Sequence, residues 1–525
     1  MMPEFVSALK KTADSLQTNV SVTENGAVGY KTTGTKLLDL NFMLSSMRNM
    51  DEGEIWKAFL LAYNEDPSLA VSWLFFARDV RGGAGERRTF RIIFNRLCRE
   101  NNSVALRLLP LLPYYGRWDD LVEVFCGNVP CNVRDKSLQI IKRQLYADLD
   151  CERDGVRSSI MAKWIPSTVT SSPQTRRKAE QLRAALEMTP RQYRKTFARL
   201  RKHIDVTEQK MSAGEWDKIR YESVPSRAAM VYRDAFERHD GTRYGQYLDN
   251  VRSGDAKINA GVLYPYDIVH AYNNSWHSRV MNDTLEAQWS ALPNTVPDNG
   301  STLVVVDGSG SMCARIGGTN VTCHDVANSL GIYFAERLHG PYYNKFITFS
   351  SRPQFVGFAD GLSLKARLDI MDNYDDCSNT DLEKVFDLIL DTAVLNGLKQ
   401  SDIPANVLIV SDMEFDAATY RGSYGYYGGL GSDNLSGHVN QTLFDSIRCR
   451  WKEAGYKLPR LVFWNVCSRT GTIPVKENDF GVALVSGFSP NIADMVMSGE
   501  LDPFRCLVNK LMSDRYKPVH DALKE

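Results

Sequence analysis

No stretch of this chain approaches the roughly 18 uninterrupted apolar residues that a membrane-spanning helix needs. The opening MMPEFVSALKKTADSLQ also lacks the apolar core of a secretory signal. A cytoplasmic protein with no membrane partner is therefore expected. The ten cysteines include no CxxC pair and have no histidines at ligand spacing, which argues against structural zinc and against a disulfide framework, and leaves free thiols. The eight histidines are isolated, no serine lies in a GxSxG elbow, and no acid–base pair is fixed by spacing, so an enzyme is not expected. Neither GxxxxGK[ST] nor GxGxxG follows the apolar strands of the second half, which disfavours nucleotide binding.

Net charge is absent too, with 63 basic and 63 acidic residues, yet the balance is uneven along the chain. Lys and Arg outnumber Asp and Glu 42 to 36 over residues 1–300 and fall behind 21 to 27 over 301–525. A chain of 525 residues can bury two or more cores. The charge shift near residue 300 coincides with a change of texture.

From about residue 300 the chain alternates apolar strands and amphipathic helices. Strands are expected at 302–306, 345–349, 406–411, 460–466 and 481–486, and helices at 324–338, 381–396, 438–454 and 501–513. Such alternation implies parallel βαβ units in a doubly wound sheet. Before residue 300, helical periodicity recurs in WKAFLLAYNEDPSLAVSWLFFARDV, RTFRIIFNRLCREN and VALRLLPLLPYYG, separated by Gly, Pro and Asn breakers. Short paired helices without strand signals suggest a HEAT-like α-helical repeat. The expected fold class is thus α + α/β, with a helical-repeat domain over 1–299 and a Rossmann-like domain over 300–525.

The sharpest signal is TLVVVDGSGSM. An apolar run from Thr302 to Val306 delivers Asp307, Ser309 and Ser311 into a glycine-spaced turn. One carboxylate and two hydroxyls at a strand end suit a hard cation, and Mg²⁺ is expected, with Mn²⁺ or Ca²⁺ as alternatives. The spacing resembles the metal-ion-dependent adhesion site of von Willebrand factor A domains, Asp-x-Ser-x-Ser followed by a distant Thr and a distant Asp. On that resemblance, Thr380 in CSNTDLEKVF and Asp412 in ANVLIVSDMEFD complete the ligand set. The Gly- and Tyr-rich stretch at 417–437, AATYRGSYGYYGGLGSDNLSG, reads either as a loop that embraces a partner or as a surface insertion.

Three basic fragments stand out in the first half. ARDVRGGAGERRTF sets Arg78, Arg81, Arg87 and Arg88 around three glycines at a helix start, offering guanidinium forks and backbone N–H groups to a phosphate. LPYYGRWDDL places Tyr114, Tyr115 and Trp118 beside Arg117. These rings could stack bases, though packing between helices is the preferred reading. From Thr175 to Lys202 ten basic residues face only Glu180 and Glu187, and Arg191, Arg194, Lys195, Arg199 and Lys202 recur at helical spacing on one face. That face suits a phosphate backbone.

Together with MAKWIPS, VPSRAAMVYRDAF, KINAGVLYPYDIV, VSDMEFD, FWNVCSR and LVSGFSPN, these fragments resemble a family of unknown function found in plants, fungi, bacteria and DNA viruses. That family is in turn similar to the TROVE-module proteins, the Ro autoantigen and its bacterial relatives. The resemblance implies a HEAT-like ring joined to a von Willebrand A domain, and a non-catalytic, monomeric scaffold for small structured or misfolded RNA. It also implies Asp307, Ser309, Ser311, Thr380 and Asp412 as cation ligands, with Arg78, Arg81, Arg87 and Arg88 as RNA contacts. A different class of function remains open. A metal-dependent adaptor would let a protein partner's Asp or Glu complete the coordination shell.

Overall fold

The computed structural model describes residues 19–274, 280–296, 301–349, 352–374, 381–415, 443–474, 482–489 and 502–524. They form an N-terminal helical region and a C-terminal mixed sheet of six strands. Two compact units emerge, and a single cut between 299 and 300 does not separate them. The described residues of 1–51, 264–278 and 294–510 form one, and those of 52–263, 279–293 and 511–525 form the other.

The sheet unit begins with a hairpin of two short strands, β1 (Val20–Val22) and β2 (Val28–Tyr30). Tyr30 and Ile473 exchange backbone hydrogen bonds of 2.8 Å each way, which ties this hairpin to the C-terminal half of the chain. Strands of three residues leave no periodicity to read, so the sequence placed this segment with the helices. The main strands are β3 (Thr302–Asp307), β4 (Lys345–Phe349), β5 (Gln354–Gly357), β6 (Asn406–Ser411), β7 (Arg460–Asn465) and β8 (Val482–Ser486). Their order is β5-β4-β3-β6-β7-β8, all parallel except the antiparallel edge strand β5. Every residue of β3, β7 and β8 is buried. Burial on both faces is why these strands read as continuous apolar runs rather than alternating ones. In β5 three of four residues are exposed, so it gave no such run.

Helices cover both faces of this sheet. The helix Cys323–Arg337 packs on β3, and Gly331 is needed there because a Cβ would fall 2.5 Å from Val306 Cγ2. The helix Leu382–Leu395 instead lines a cleft with Leu303 and Ile347. Leu303 and Val306 differ in parity along one strand and so point to opposite faces. Thr322 and Asp325 close a capping box at the first of these helices, and Asp381 caps the second by accepting from the Lys384 amide at 3.2 Å. The helix Leu364–Asp372, which the sequence reading left out, follows β5.

In the helical unit, helices adjacent in sequence pack as pairs. Glu52–Glu65 lies against Pro67–Arg78, Arg87–Glu100 against Asn102–Leu108, and Trp118–Cys126 against Cys131–Arg153. The last helix, Lys517–Lys524, packs on Pro67–Arg78 and Asn102–Leu108. It belongs with the helices because Tyr516 stacks on Tyr115 at 5.7 Å and both rings are fully buried.

Candidate functional site

The strand order reverses between β3 and β6, so the loops leaving their carboxyl ends diverge and leave a crevice, the usual place for a ligand in an open α/β sheet. Asp307 ends β3, Ser411 ends β6, and Asp412 follows directly. The Ser411 hydroxyl donates to Asp307 Oδ2 at 2.6 Å across that switch point. The Ser309 amide donates to Asp307 Oδ1 at 2.9 Å, and the Ser309 and Ser311 hydroxyls lie 3.0 Å apart. Asp412 Oδ1 accepts from the Glu414 amide at 3.2 Å. Its other oxygen, Oδ2, is buried and accepts no hydrogen bond, and Arg469 Nη2 stands 3.6 Å away.

Both carboxylates are almost wholly out of water, Asp307 at 0% and Asp412 at 1% exposure. Burial pushes the Asp307 carboxyl up to about 7, and the negative charge of Asp412 adds to the rise. Burial likewise pushes Asp412 up to about 6, against the pull of Ser311, the Glu414 amide and Arg469. Two ionised carboxylates sharing one dry crevice are costly until a positive charge joins them. The donors are all oxygens, which suits Mg²⁺ rather than a soft metal. Among the described residues no group of three or more His, Cys, Asp and Glu could hold a metal ion. A cation here would rest on two carboxylates, hydroxyls and water.

Of the five predicted ligands, four are brought together, and Thr380 lies outside the described residues, as does the 417–437 stretch. The sequence reading passed over Ser411 and Glu414, although both sit in the VSDMEFD fragment. Glu414 is fully buried and anchors the loop after β6. Its carboxylate accepts from the amides of Glu24, Arg469 and Thr470 at 2.8–2.9 Å and from the Ser468 hydroxyl at 3.2 Å. That grip holds Met413 in the left-handed region at φ 65°, which few non-glycine residues adopt unaided.

The basic residues of the helical unit divide. Arg78 is 2% exposed and paired with buried Asp120, Nη2 to Oδ2 at 2.7 Å, so it is a core ion pair and is withdrawn as a nucleic-acid contact. Two amides of the glycine loop after it are taken by the protein itself. Arg81 and Gly82 donate their amides to the Asp79 carboxylate at 3.0 and 3.2 Å, and Asp79 is further held by Arg515 and Tyr516. The anion of this loop is the protein's own. Arg81 is exposed and reaches the Tyr114 carbonyl at 2.9 Å, while Arg87 and Arg88 are exposed at the start of their helix. Arg117 is half-buried over the Trp164 ring at 4.5 Å.

The helix Pro190–His203 keeps its basic face in solvent. Tyr193, Phe197 and Leu200 are buried, whereas Arg191, Arg194, Lys195, Arg199 and Lys202 are exposed. Arg199 is tethered to Glu152 at 3.2 Å. Arg201 turns inward and donates to the carbonyls of Ala162 and Ile165 at 2.9 and 2.8 Å.

Comparison with known proteins places these elements in context. The chain is 30% identical over 540 residues to the "Uncharacterized protein L728" of Acanthamoeba polyphaga mimivirus, covering 95% of this chain and 89% of the viral protein. The chain belongs to the family of that protein. Residues 301–510 match the family described as "Domain of unknown function (DUF7788)", and residues 151–302 match "Domain of unknown function (DUF2828)". The first match takes in all six strands of the sheet with the carboxylate crevice, and the second takes in the basic helix. No helix among the described residues is long and apolar enough to cross a membrane.

Proposed function

We propose that this chain is a non-catalytic, divalent-cation-dependent binding protein whose sheet unit, of the von Willebrand A type, captures an acidic group of a partner. The observation that carries this reading is the buried Oδ2 of Asp412, which accepts no hydrogen bond, beside the second buried carboxylate, Asp307. Asp307, Asp412, Ser309 and Ser311 would hold the ion, with Thr380 as the fifth ligand implied by the family resemblance. When bound, Mg²⁺ would supply a hard positive centre with exchangeable positions for a partner's carboxylate. The protein's own part is to fix the donors. Ser411 and the Ser309 amide orient Asp307, and Glu414 sets the loop that carries Asp412.

The test is calorimetric titration of the full chain with Mg²⁺ and Mn²⁺, repeated on Asp307→Ala. Saturable binding lost in the variant supports the reading, and equal heats for both proteins overturn it.

A second reading is favoured by the exposed face of Pro190–His203. The helical unit, as a HEAT-like repeat, would scaffold small structured or misfolded RNA in the manner of the Ro proteins. Arg191, Arg194, Lys195 and Lys202 would contact phosphates, with Arg81, Arg87 and Arg88 as secondary contacts. Sequencing the RNA that accompanies the purified protein, beside a control with the basic face reversed, tests it. A defined RNA lost in the control supports the scaffold, and no enriched RNA removes it.

A further inference from the structure

We propose that Arg469 is a built-in counter-ion for the carboxylate crevice, which a divalent cation displaces toward Glu24 when it binds. This rests on the cation reading above and names how that site is regulated. One guanidinium nitrogen, Nη2, faces both acids. It lies 2.7 Å from Glu24 Oε2 and 3.6 Å from Oδ2 of Asp412. Arginine cannot shed its proton in a protein, so this positive charge is permanent. At 3.6 Å it offsets part of the Asp412 charge without satisfying it by a hydrogen bond.

A cation that coordinates Asp412 Oδ2 would stand within a few ångströms of the guanidinium, and the two positive charges repel. The side chain has somewhere to go. Arg469 is 33% exposed, and its closer partner, Glu24, is 48% exposed on the turn between β1 and β2. The main chain has not. The amides of Arg469 and Glu24 both donate to buried Glu414, at 2.8 and 2.9 Å, which holds the arginine and its receiving acid at a fixed spacing. Arg469 thus lowers cation affinity, and Glu24 lessens that effect by drawing the guanidinium outward. The N-terminal hairpin becomes a control element of the crevice.

The experiment is calorimetric titration with Mg²⁺ and Mn²⁺, together with thermal denaturation with and without Mg²⁺. It uses the full chain and its Arg469→Gln, Arg469→Lys, Glu24→Gln and Glu24→Gln/Arg469→Gln variants. Removing the charge is expected to tighten cation binding by about tenfold, and Arg469→Lys to stay within about threefold of the parent. Glu24→Gln is expected to weaken binding by about threefold, an effect that disappears once Arg469 is gone. Without cation Arg469→Gln melts lower, yet its Mg²⁺-induced rise is larger. A merely structural arginine would lower both. If the parent binds and Arg469→Gln binds no tighter, the counter-ion role is overturned while the cation reading stands. If Glu24→Gln weakens binding equally with and without Arg469, the part assigned to Glu24 is overturned. If neither the parent nor any variant binds, the cation reading falls and takes this inference with it.

Discussion

In the absence of divalent cation the sheet unit should lose stability as pH rises through neutrality, and Asp412→Asn should remove part of that loss. The sign follows from the two carboxyls. Each has an ordinary value of 3.8 and is raised in the folded state, Asp307 to about 7 and Asp412 to about 6. A raised acid binds its proton more tightly folded than unfolded. Its contribution is therefore fully present below the unfolded value and disappears as pH climbs to the folded one. Each pH unit within that window costs about 1.4 kcal/mol per group. The two costs do not simply add, because part of the Asp307 rise is the charge of Asp412. Between about pH 5 and about pH 8 the net loss is about 3 kcal/mol, roughly 6–12 °C in the melting temperature of a unit this size.

Mg²⁺ at a hundredfold excess over its dissociation constant should return about 2.7 kcal/mol at the upper pH, and much less at the lower, where the carboxyls hold protons. Asp412→Asn keeps the shape, deletes one of the two charges and relieves Asp307 in part, so its pH slope should be shallower than the parent's and its Mg²⁺ response absent. The assay is denaturant or thermal unfolding of parent and variant at both pH values, with chelator or with Mg²⁺. Taking the difference between the two proteins cancels every other titrating group. Equal pH slopes for parent and variant would refute the reasoning.

Arg78→Ala removes one of the two guanidinium partners of buried Asp120, which keeps Arg91 at 2.7 Å and the Arg117 amide at 3.0 Å, and should cost about 1–3 kcal/mol in denaturant unfolding, whereas Arg81→Ala, on an exposed side chain, should be nearly silent. Glu414→Ala leaves the amides of Glu24, Arg469 and Thr470 without their acceptor and should cost about 2–4 kcal/mol in the same assay. Gly331→Ala drives a methyl into Val306 and should cost about 1–3 kcal/mol. If RNA binds the Pro190–His203 face, charge reversal at Arg194, Lys195 and Lys202 should flatten the salt dependence of binding by about 0.7–0.9 per lost phosphate contact. Reversal of Arg199, already held by Glu152, should flatten it less, and an unchanged slope for the triple reversal would take the helix out of the interface.

How far the sequence could be read depended on where each residue's environment came from. The parallel strands were legible almost to the residue because burial on both faces makes a strand apolar throughout. The reading 345–349 and the strand Lys345–Phe349 coincide, as do 406–411 and Asn406–Ser411. Asp307, Ser309 and Ser311 were legible because a short turn fixes their relation locally. Ser411 was not, since its importance comes from reaching Asp307 across a strand pair 104 residues apart in sequence. Arg469 and Glu24 were hidden for the same reason. Nothing in VCSRT or TENG announces that the two would meet.

The arginines show the opposite failure, in which a local signal was present and its partner lay elsewhere. RDVRGGAGERR carries the glycines and cations of an anion-binding loop, and the structure does supply an anion. It is Asp79, inside the same fragment, and the loop amides bend back onto it. Arg78 sits one residue before, but its partner Asp120 is 42 residues downstream. Helical periodicity alone did separate inward from outward on Pro190–His203, because Tyr193, Phe197 and Leu200 mark the buried stripe and leave the basic residues outside it. A charge whose neighbours on the same helix define its face can be placed from sequence. A charge in a turn can be placed only once the acid that claims it is known. The crevice at β3 and β6 combines both cases: a local turn presents Asp307, while Arg469, from a distant loop, reaches Asp412.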